Sequence, residues 1–168
     1  MAEGLLRTRA MEAGIDIEVH SAGSMSGGEP ATASAIKVCA DLGIDISAHR
    51  SRRLQWTMVA EADLIIAMSR QHLREAVVLD PTAFPRIYTL RELVRRVEAN
   101  PRGALAELHR GRALRQYESS DAADDIADPV GQPAAVYVKT VNELDGLIRR
   151  LLPALANLSA MTPSREAG

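Results

Sequence analysis

Segments with a helical pattern alternate with short extended segments along this chain, and this alternation constrains its fold more than any other feature. Residues 1–13 have a helical pattern, after which Ile15, Ile17 and Val19 alternate with polar residues as in a half-buried strand. Residues 64–68 form an unbroken apolar run, which is typical of a strand buried on both faces of a parallel sheet. This order predicts an α/β fold in which helices cover a parallel sheet.

The remaining elements are predicted from apolar stripes and from turn residues at their ends. A third short strand is predicted at Ile87 and Tyr88, and Thr89 and Glu92 have the spacing of a capping box at a helix start. The other predicted helices cover residues 31–42, about 71–79, 103–116, and a segment from Pro133 to just before Pro153. We expect one domain over residues 1–158 and a disordered tail over residues 159–168.

The composition is that of an ordinary globular domain. The 168 residues are 46% hydrophobic with a net charge of −2, and aromatic residues make up only 3%. We therefore expect no nucleic-acid partner and no membrane partner, because no basic aromatic surface and no apolar run of ~20 residues is present. Without a basic-then-apolar leader, the chain is expected to be cytoplasmic. One cysteine and four scattered histidines give no metal-ligand spacing, so we expect neither a metal nor a cofactor.

Five separated motifs follow one another in an order that identifies a family resemblance. They are Met-Ala-Glu-Gly-Leu-Leu at residues 1–6, Ser-Ala-Gly-Ser at 21–24, the stretch 43–52, Ala-Asp-Leu-Ile-Ile-Ala-Met at 62–68 and Asp-Ile-Ala-Asp-Pro at 125–129. Together they resemble the low-molecular-weight protein tyrosine phosphatases. The resemblance implies a three-layer, flavodoxin-like parallel sheet with strand order 2-1-3-4. In that family, the first strand and a Cys-x5-Arg phosphate loop come directly before the Met-Ala-Glu helix, and this sequence contains neither.

The resemblance also implies roles for three residues. Asp128 matches the general acid that protonates the leaving group, and Ser21 and His49 match side chains that support the phosphate loop. Taken without the resemblance, Asp128 and Pro129 would form a turn in a solvated loop, Ser21 would end a strand, and His49 would be a capping or core histidine. Arg50 and Arg52 are expected to serve the structure or the surface.

A thiolate nucleophile and a phosphate-binding arginine are the two parts of this chemistry that the sequence lacks. The sole cysteine, Cys39, lies in an apolar helical stripe, and the residue six places later is Asp45 rather than arginine. We therefore expect Cys39 to be a buried, inert thiol. Val130 and Gly131 follow Pro129 where the family usually has aromatic residues, which weakens the expected preference for phosphotyrosine.

Several functions remain open from the sequence. The first is a phosphatase that acts on a phosphotyrosine protein or on a small aryl or alkyl phosphate, with its start assigned too late; as written, such a chain is expected to be inactive. The second is a noncatalytic, phosphatase-like binding module. An arsenate reductase-like activity is disfavoured because it needs additional thiols. Eight arginines between residues 86 and 116 form either a docking patch for an acidic partner or a solvated helix face. The oligomeric state is not indicated.

Overall fold

The computed structural model describes residues 1–25, 27–101, 103, 107–118 and 123–159. In these segments the α-helices and strands follow the order α1 (Ala2–Glu12), α2 (Ala33–Ala40), α3 (Trp56–Glu61), β1 (Ile65–Ala67), α4 (Arg70–Leu79), β2 (Ile87–Thr89), α5 (Leu90–Ala99) and α6 (Ala134–Ser159). Short 3₁₀ helices cover Pro81–Arg86 and Leu114–Tyr117. No helix of these segments is both long enough and apolar enough to cross a membrane.

Strands β1 and β2 pair in parallel, with Ile65 opposite Ile87 and Ala67 opposite Thr89. The predicted α/β fold with a parallel sheet is therefore confirmed. The sheet is smaller than the three strands expected, because residues 15–20 belong to no strand and form no β-bridge with any described residue. Their apolar side chains still face inward, since Ile15 is buried and Ile17 packs against the main core.

The main core lies where α6 packs against α1, α2 and α5. Its fully buried side chains include Leu5 of α1, Cys39 of α2, Leu93 of α5 and Leu151 of α6. A second, smaller cluster joins α3 and α4 to the sheet and contains Val59, Leu73, Ile87 and Tyr117. Helix α3 was not anticipated from the sequence.

Most helix boundaries agree with the sequence signals. The Thr89 hydroxyl accepts a hydrogen bond from the Glu92 amide at 3.3 Å, as the capping-box spacing predicts. Gly14 and Gly43, which follow the ends of α1 and α2, have φ angles of 68° and 77°. A side chain other than that of glycine is strained in this left-handed region, so both glycines act as helix stops.

The predicted helix over residues 103–116 is wrong. None of its described residues is α-helical: they form turns and 3₁₀ structure, which includes the short 3₁₀ helix Leu114–Tyr117, and Gly111 has a φ of 75°. The tertiary reason is Arg112, whose guanidinium enters the protein interior and donates to the backbone carbonyl of Phe84 at 3.0 Å. Burying that cation determines the path of this segment more strongly than its local helix propensity.

Helix α6 continues through Pro153, where the sequence predicted that it would end. A proline inside a helix removes one backbone hydrogen bond and disfavours the preceding turn. Here Leu151 and Leu155 lie on either side of Pro153 and are both buried in the main core. Their burial offsets the cost of the proline. The tail predicted over residues 159–168 lies, apart from the helical backbone at Ser159, outside the described residues.

Candidate active site

Glu3, in the first turn of α1, brings together two of the three side chains singled out from the sequence. Its carboxylate accepts a hydrogen bond from the Ser21 hydroxyl, and its Oε2 lies 3.6 Å from Nδ1 of His49. Arg7, one turn further along α1, donates to the same carboxylate. Glu3 thus joins the start of α1 to the segment after residue 20 and to the segment before residue 50. We call Glu3, Ser21 and His49 the Glu3 cluster.

Glu3 is held in its ionised form. Burial disfavours the carboxylate, but the hydrogen bonds from Ser21 and Arg7 outweigh burial and lower the pKa of Glu3 below its ordinary value. The side chain is 12% exposed, whereas that of His49 is 30% exposed. An ionised acceptor at this position fixes the Ser21 hydroxyl relative to the first turn of α1 and places a negative charge 3.6 Å from the His49 ring.

The third predicted residue, Asp128, is not bonded to this cluster. Its side chain is exposed, and its Oδ1 accepts a hydrogen bond from the Val130 amide at 3.0 Å. Among the described residues, no hydrogen bond or ion pair joins Asp128 to Glu3, Ser21 or His49. The arrangement around Asp128 is that of a turn in which the aspartate side chain caps the backbone two residues later.

The loop that carries Asp128 is nevertheless anchored firmly just before that residue. The Ile126 amide donates to the Met68 carbonyl at 2.8 Å, and Oδ1 of Asp125 accepts from the Arg70 amide at 2.8 Å. These bonds tie the loop to the carboxyl end of β1 and to the first residue of α4. The exposed Asp128 therefore extends from a loop segment that is fixed by hydrogen bonds.

Asp124 adds an ionic anchor to the same loop. Its carboxylate is 5% exposed and pairs with Arg70 at 2.9 Å and with Arg95 at 2.6 Å. Burial raises the pKa of Asp124, but the hydrogen bonds from the two arginines outweigh burial and hold the pKa below its ordinary value. Arg70 extends from α4 and Arg95 from α5, so the ion pairs join two helices to the loop.

Cys39 is unsuited to nucleophilic chemistry, as the sequence predicted. It has 0% exposure in the main core, and burial raises the pKa of its thiol. A protonated, inaccessible thiol is a poor nucleophile. The described residues also contain no group of three histidine, cysteine or acidic side chains close enough to hold a metal ion.

Comparison with known proteins identifies the family to which this chain belongs. The model of the family described as low molecular weight phosphotyrosine protein phosphatase matches residues 1–103. The chain belongs to the low molecular weight protein tyrosine phosphatase family. The family resemblance inferred from the five motifs is thereby confirmed, and with it the fold.

Individual members of the family differ in how much of the chain they match. A probable low molecular weight protein-tyrosine-phosphatase, EpsP of Ralstonia solanacearum, is 38% identical over 93 residues, which are 55% of this chain and 62% of that protein. A protein-arginine-phosphatase of Geobacillus stearothermophilus is 30% identical over 92% of this chain and 86% of its own length. The crystal structure of the low molecular weight protein tyrosine phosphatase from T. tengcongensis superposes with a TM-score of 0.70 at 33% identity, covering 90% of this chain and 86% of that one.

Sequence reasoning missed Glu3, Asp124 and Asp125 as organising residues of the candidate site. Glu3 lies inside the Met-Ala-Glu motif, and its position in the first turn of a helix, four residues before Arg7, was an available signal. Asp125 opens the fifth motif and Asp124 directly precedes it, but nothing local marked either residue as an anchor of the loop. Their partners Arg70 and Arg95 are distant in the sequence, so no local pattern could have paired them.

Proposed function

We propose that this chain is the scaffold of a cysteine-dependent phosphatase that acts on phosphorylated proteins. The observation that carries the proposal is the Glu3 cluster, in which an ionised carboxylate in the first turn of α1 accepts a hydrogen bond from Ser21 and lies 3.6 Å from the His49 ring. Family membership supports the same assignment. Under this proposal the cluster supports a phosphate loop at the amino-terminal end of α1, where backbone amides favour an anion.

The nucleophile is proposed to come from outside residues 1–168, because Cys39 is buried and no Cys-x5-Arg occurs within them. A thiolate there would attack phosphorus in line while the bond to the leaving group breaks, giving a phosphocysteine that water then hydrolyses. Asp128, in its protonated form, would donate its proton to the departing group and afterwards, as a base, would activate the water. The anchoring of Asp124, Asp125 and Ile126 supports this role, because it fixes the loop segment directly before Asp128.

Phosphotyrosine is the first candidate substrate residue, on the strength of the family model and the EpsP relative. Phosphoarginine is the second candidate. It is favoured by the relative described as a protein-arginine-phosphatase, which aligns over 92% of this chain. It is also favoured by Val130, an aliphatic residue with 64% exposure beside Asp128, which offers no aromatic ring for stacking against a phenol.

A cytoplasmic location is proposed as well. It rests on the sequence, whose single cysteine allows no internal disulfide bond of the kind that stabilises secreted proteins.

The deciding experiment assays the full-length protein, together with any residues that precede Met1 in its reading frame. Hydrolysis of p-nitrophenyl phosphate with trapping of a phosphocysteine would support the proposal, and a folded protein that forms no such intermediate would overturn it. Parallel rates on one peptide sequence carrying either phosphotyrosine or phosphoarginine would then decide between the two substrate residues.

A further inference from the structure

Most arginines in the described segments form ion pairs with carboxylates. The same is true of most described arginines in the arginine-rich stretch after residue 85. Arg86, Arg91, Arg95, Arg96, Arg110 and Arg112 all have acidic partners within the domain. The docking patch considered for that stretch is therefore largely neutralised. The described arginines without a carboxylate partner are Arg50, Arg52, Arg53, Arg74 and Arg115.

Three of those unpaired arginines lie together in residues 50–54, which we call the basic ribbon. Arg50, Arg52 and Arg53 are all exposed, although the chain as a whole has a net charge of −2. Arg50 donates only to backbone carbonyls of Ser47 and His49. Unneutralised cations concentrated on an otherwise acidic protein create a local positive potential that attracts an acidic partner.

The backbone of the basic ribbon is held by backbone hydrogen bonds to Gly23, Gly28 and Glu29. The Gly23 amide donates to the Arg52 carbonyl at 2.9 Å, and the Leu54 amide donates to the Gly23 carbonyl at 2.8 Å. Gly27 packs so closely that a Cβ atom there would lie 3.0 Å from the Ser51 carbonyl oxygen. Arginines presented from a fixed backbone lose less conformational freedom when they bind a partner.

The ribbon also has an exposed aromatic neighbour and borders the candidate active site. Trp56, at the start of α3, is 58% exposed, although a large aromatic side chain is usually buried. Tryptophan and arginine are the residue types most enriched at energetically important positions of protein interfaces. The ribbon starts directly after His49, and the segment that holds it starts two residues after Ser21, so both segments extend from the Glu3 cluster.

We propose that the basic ribbon and Trp56 form a docking surface for an acidic segment of the phosphorylated substrate protein, next to the residue that is dephosphorylated. The proposal rests on the proposed function for the identity of the partner. The surface would select substrates by the Asp and Glu residues near the phosphorylated position, and it would act through affinity rather than through the chemical step.

The test measures binding of a fluorescently labelled peptide of alternating glutamate and glycine to the full-length protein by anisotropy. The double variant Arg52→Gln/Arg53→Gln is compared with Arg115→Gln/Lys139→Gln, which removes the same charge from exposed residues elsewhere. We expect the first variant to bind about three- to tenfold more weakly at low salt and the second to change by less than about twofold. Trp56→Ala should weaken binding as well, and binding should fall steeply as salt is added.

Equal losses in the two double variants would overturn the proposal, as would equal binding of a glutamine-containing peptide. Binding to phosphatidylglycerol vesicles that exceeds binding to the peptide would indicate a lipid partner and would also overturn it. Hydrolysis of p-nitrophenyl phosphate by the unsubstituted protein is measured in parallel, because it tests the proposed function alone. Peptide binding without hydrolysis would overturn the phosphatase assignment and leave the docking surface standing; hydrolysis without peptide binding would do the reverse.

Discussion

Arg112 and Glu92 form an ion pair in the interior of the protein. Nε of Arg112 lies 2.9 Å from Oε1 of Glu92, and the arginine side chain has 0% exposure. The guanidinium also lies 4.0 Å from the ring centroid of Tyr88. Tyr117 donates to the same carboxylate at 2.5 Å, and burial together with this hydrogen bond raises the pKa of Tyr117 to about 12. These contacts fasten the segment after α5 to α5 and to the sheet.

Replacing Arg112 by methionine should destabilise the domain by about 3 kcal/mol, because it leaves the buried Glu92 carboxylate without its most buried cation. Arg96, 2.8 Å from Glu92, remains as a partner and keeps the loss from being larger. Urea unfolding followed by circular dichroism measures the change. Arg110→Met is the matched control, since Arg110 is exposed and its pairing with Glu107 is expected to contribute less than about 1 kcal/mol. Equal destabilisation by the two variants would contradict the prediction.

Asp124 should make the stability of the domain depend on pH in the acidic range. Its pKa is lowered in the folded state, so its ion pairs stabilise the protein fully above about pH 4, the range of an unfolded aspartate, and are lost as the pH falls through the lower folded value. Asp124→Asn should cost about 1–3 kcal/mol at pH 7. The difference in unfolding free energy between the original protein and the variant should narrow toward pH 3.

The control for this titration is Asp63→Asn, at an exposed carboxylate without an ion pair among the described residues. Its effect on stability should stay within about 0.5 kcal/mol. If the stability difference for Asp124→Asn stays constant between pH 7 and pH 3, the prediction is wrong, because the stabilisation by the Asp124 ion pairs is then not lost at low pH.

Substitution of Asp128 tests the general-acid role directly. In the full-length protein, Asp128→Asn should slow hydrolysis of phosphate esters with poor leaving groups strongly and of esters with good leaving groups much less, because only poor leaving groups need a proton as they depart. Rates over a series of substituted phenyl phosphates give the dependence. Glu118→Gln, at an exposed acidic residue outside residues 123–131, should leave the series unchanged. A uniform decrease across the series for Asp128→Asn would rule out the acid role.

Cys39 should not react with alkylating reagents in the folded protein, because it is inaccessible and burial raises the pKa of its thiol. Iodoacetamide treatment followed by mass mapping should find Cys39 modified in urea and unmodified in buffer. Cys39→Ala should preserve the rate of hydrolysis by the full-length protein. Loss of the phosphocysteine intermediate in this variant would make Cys39 the nucleophile and would refute our assignment.

Local signals in the sequence predicted α5 well. Thr89 and Glu92 mark its start, and the apolar stripe from Leu90 to Val97 is buried as the helical period requires. The parallel pairing of the sheet was predicted correctly, but the number of its strands was not. A strand exists only when a neighbour pairs with it, and residues 15–20 have the right alternation of side chains without such a neighbour among the described residues.

The sequence by itself therefore determined the start of α5, the ends of α1 and α2, the burial of Cys39 and the order of motifs that identifies the family. All of these depend on residues close together along the chain. Only the tertiary structure decided that Ser21 and His49 both lie against Glu3, that Arg112 enters the interior in place of a predicted helix, and that α6 continues through Pro153. In each case side chains far apart in the sequence meet, and their burial and pairing outweigh the local preferences of the backbone.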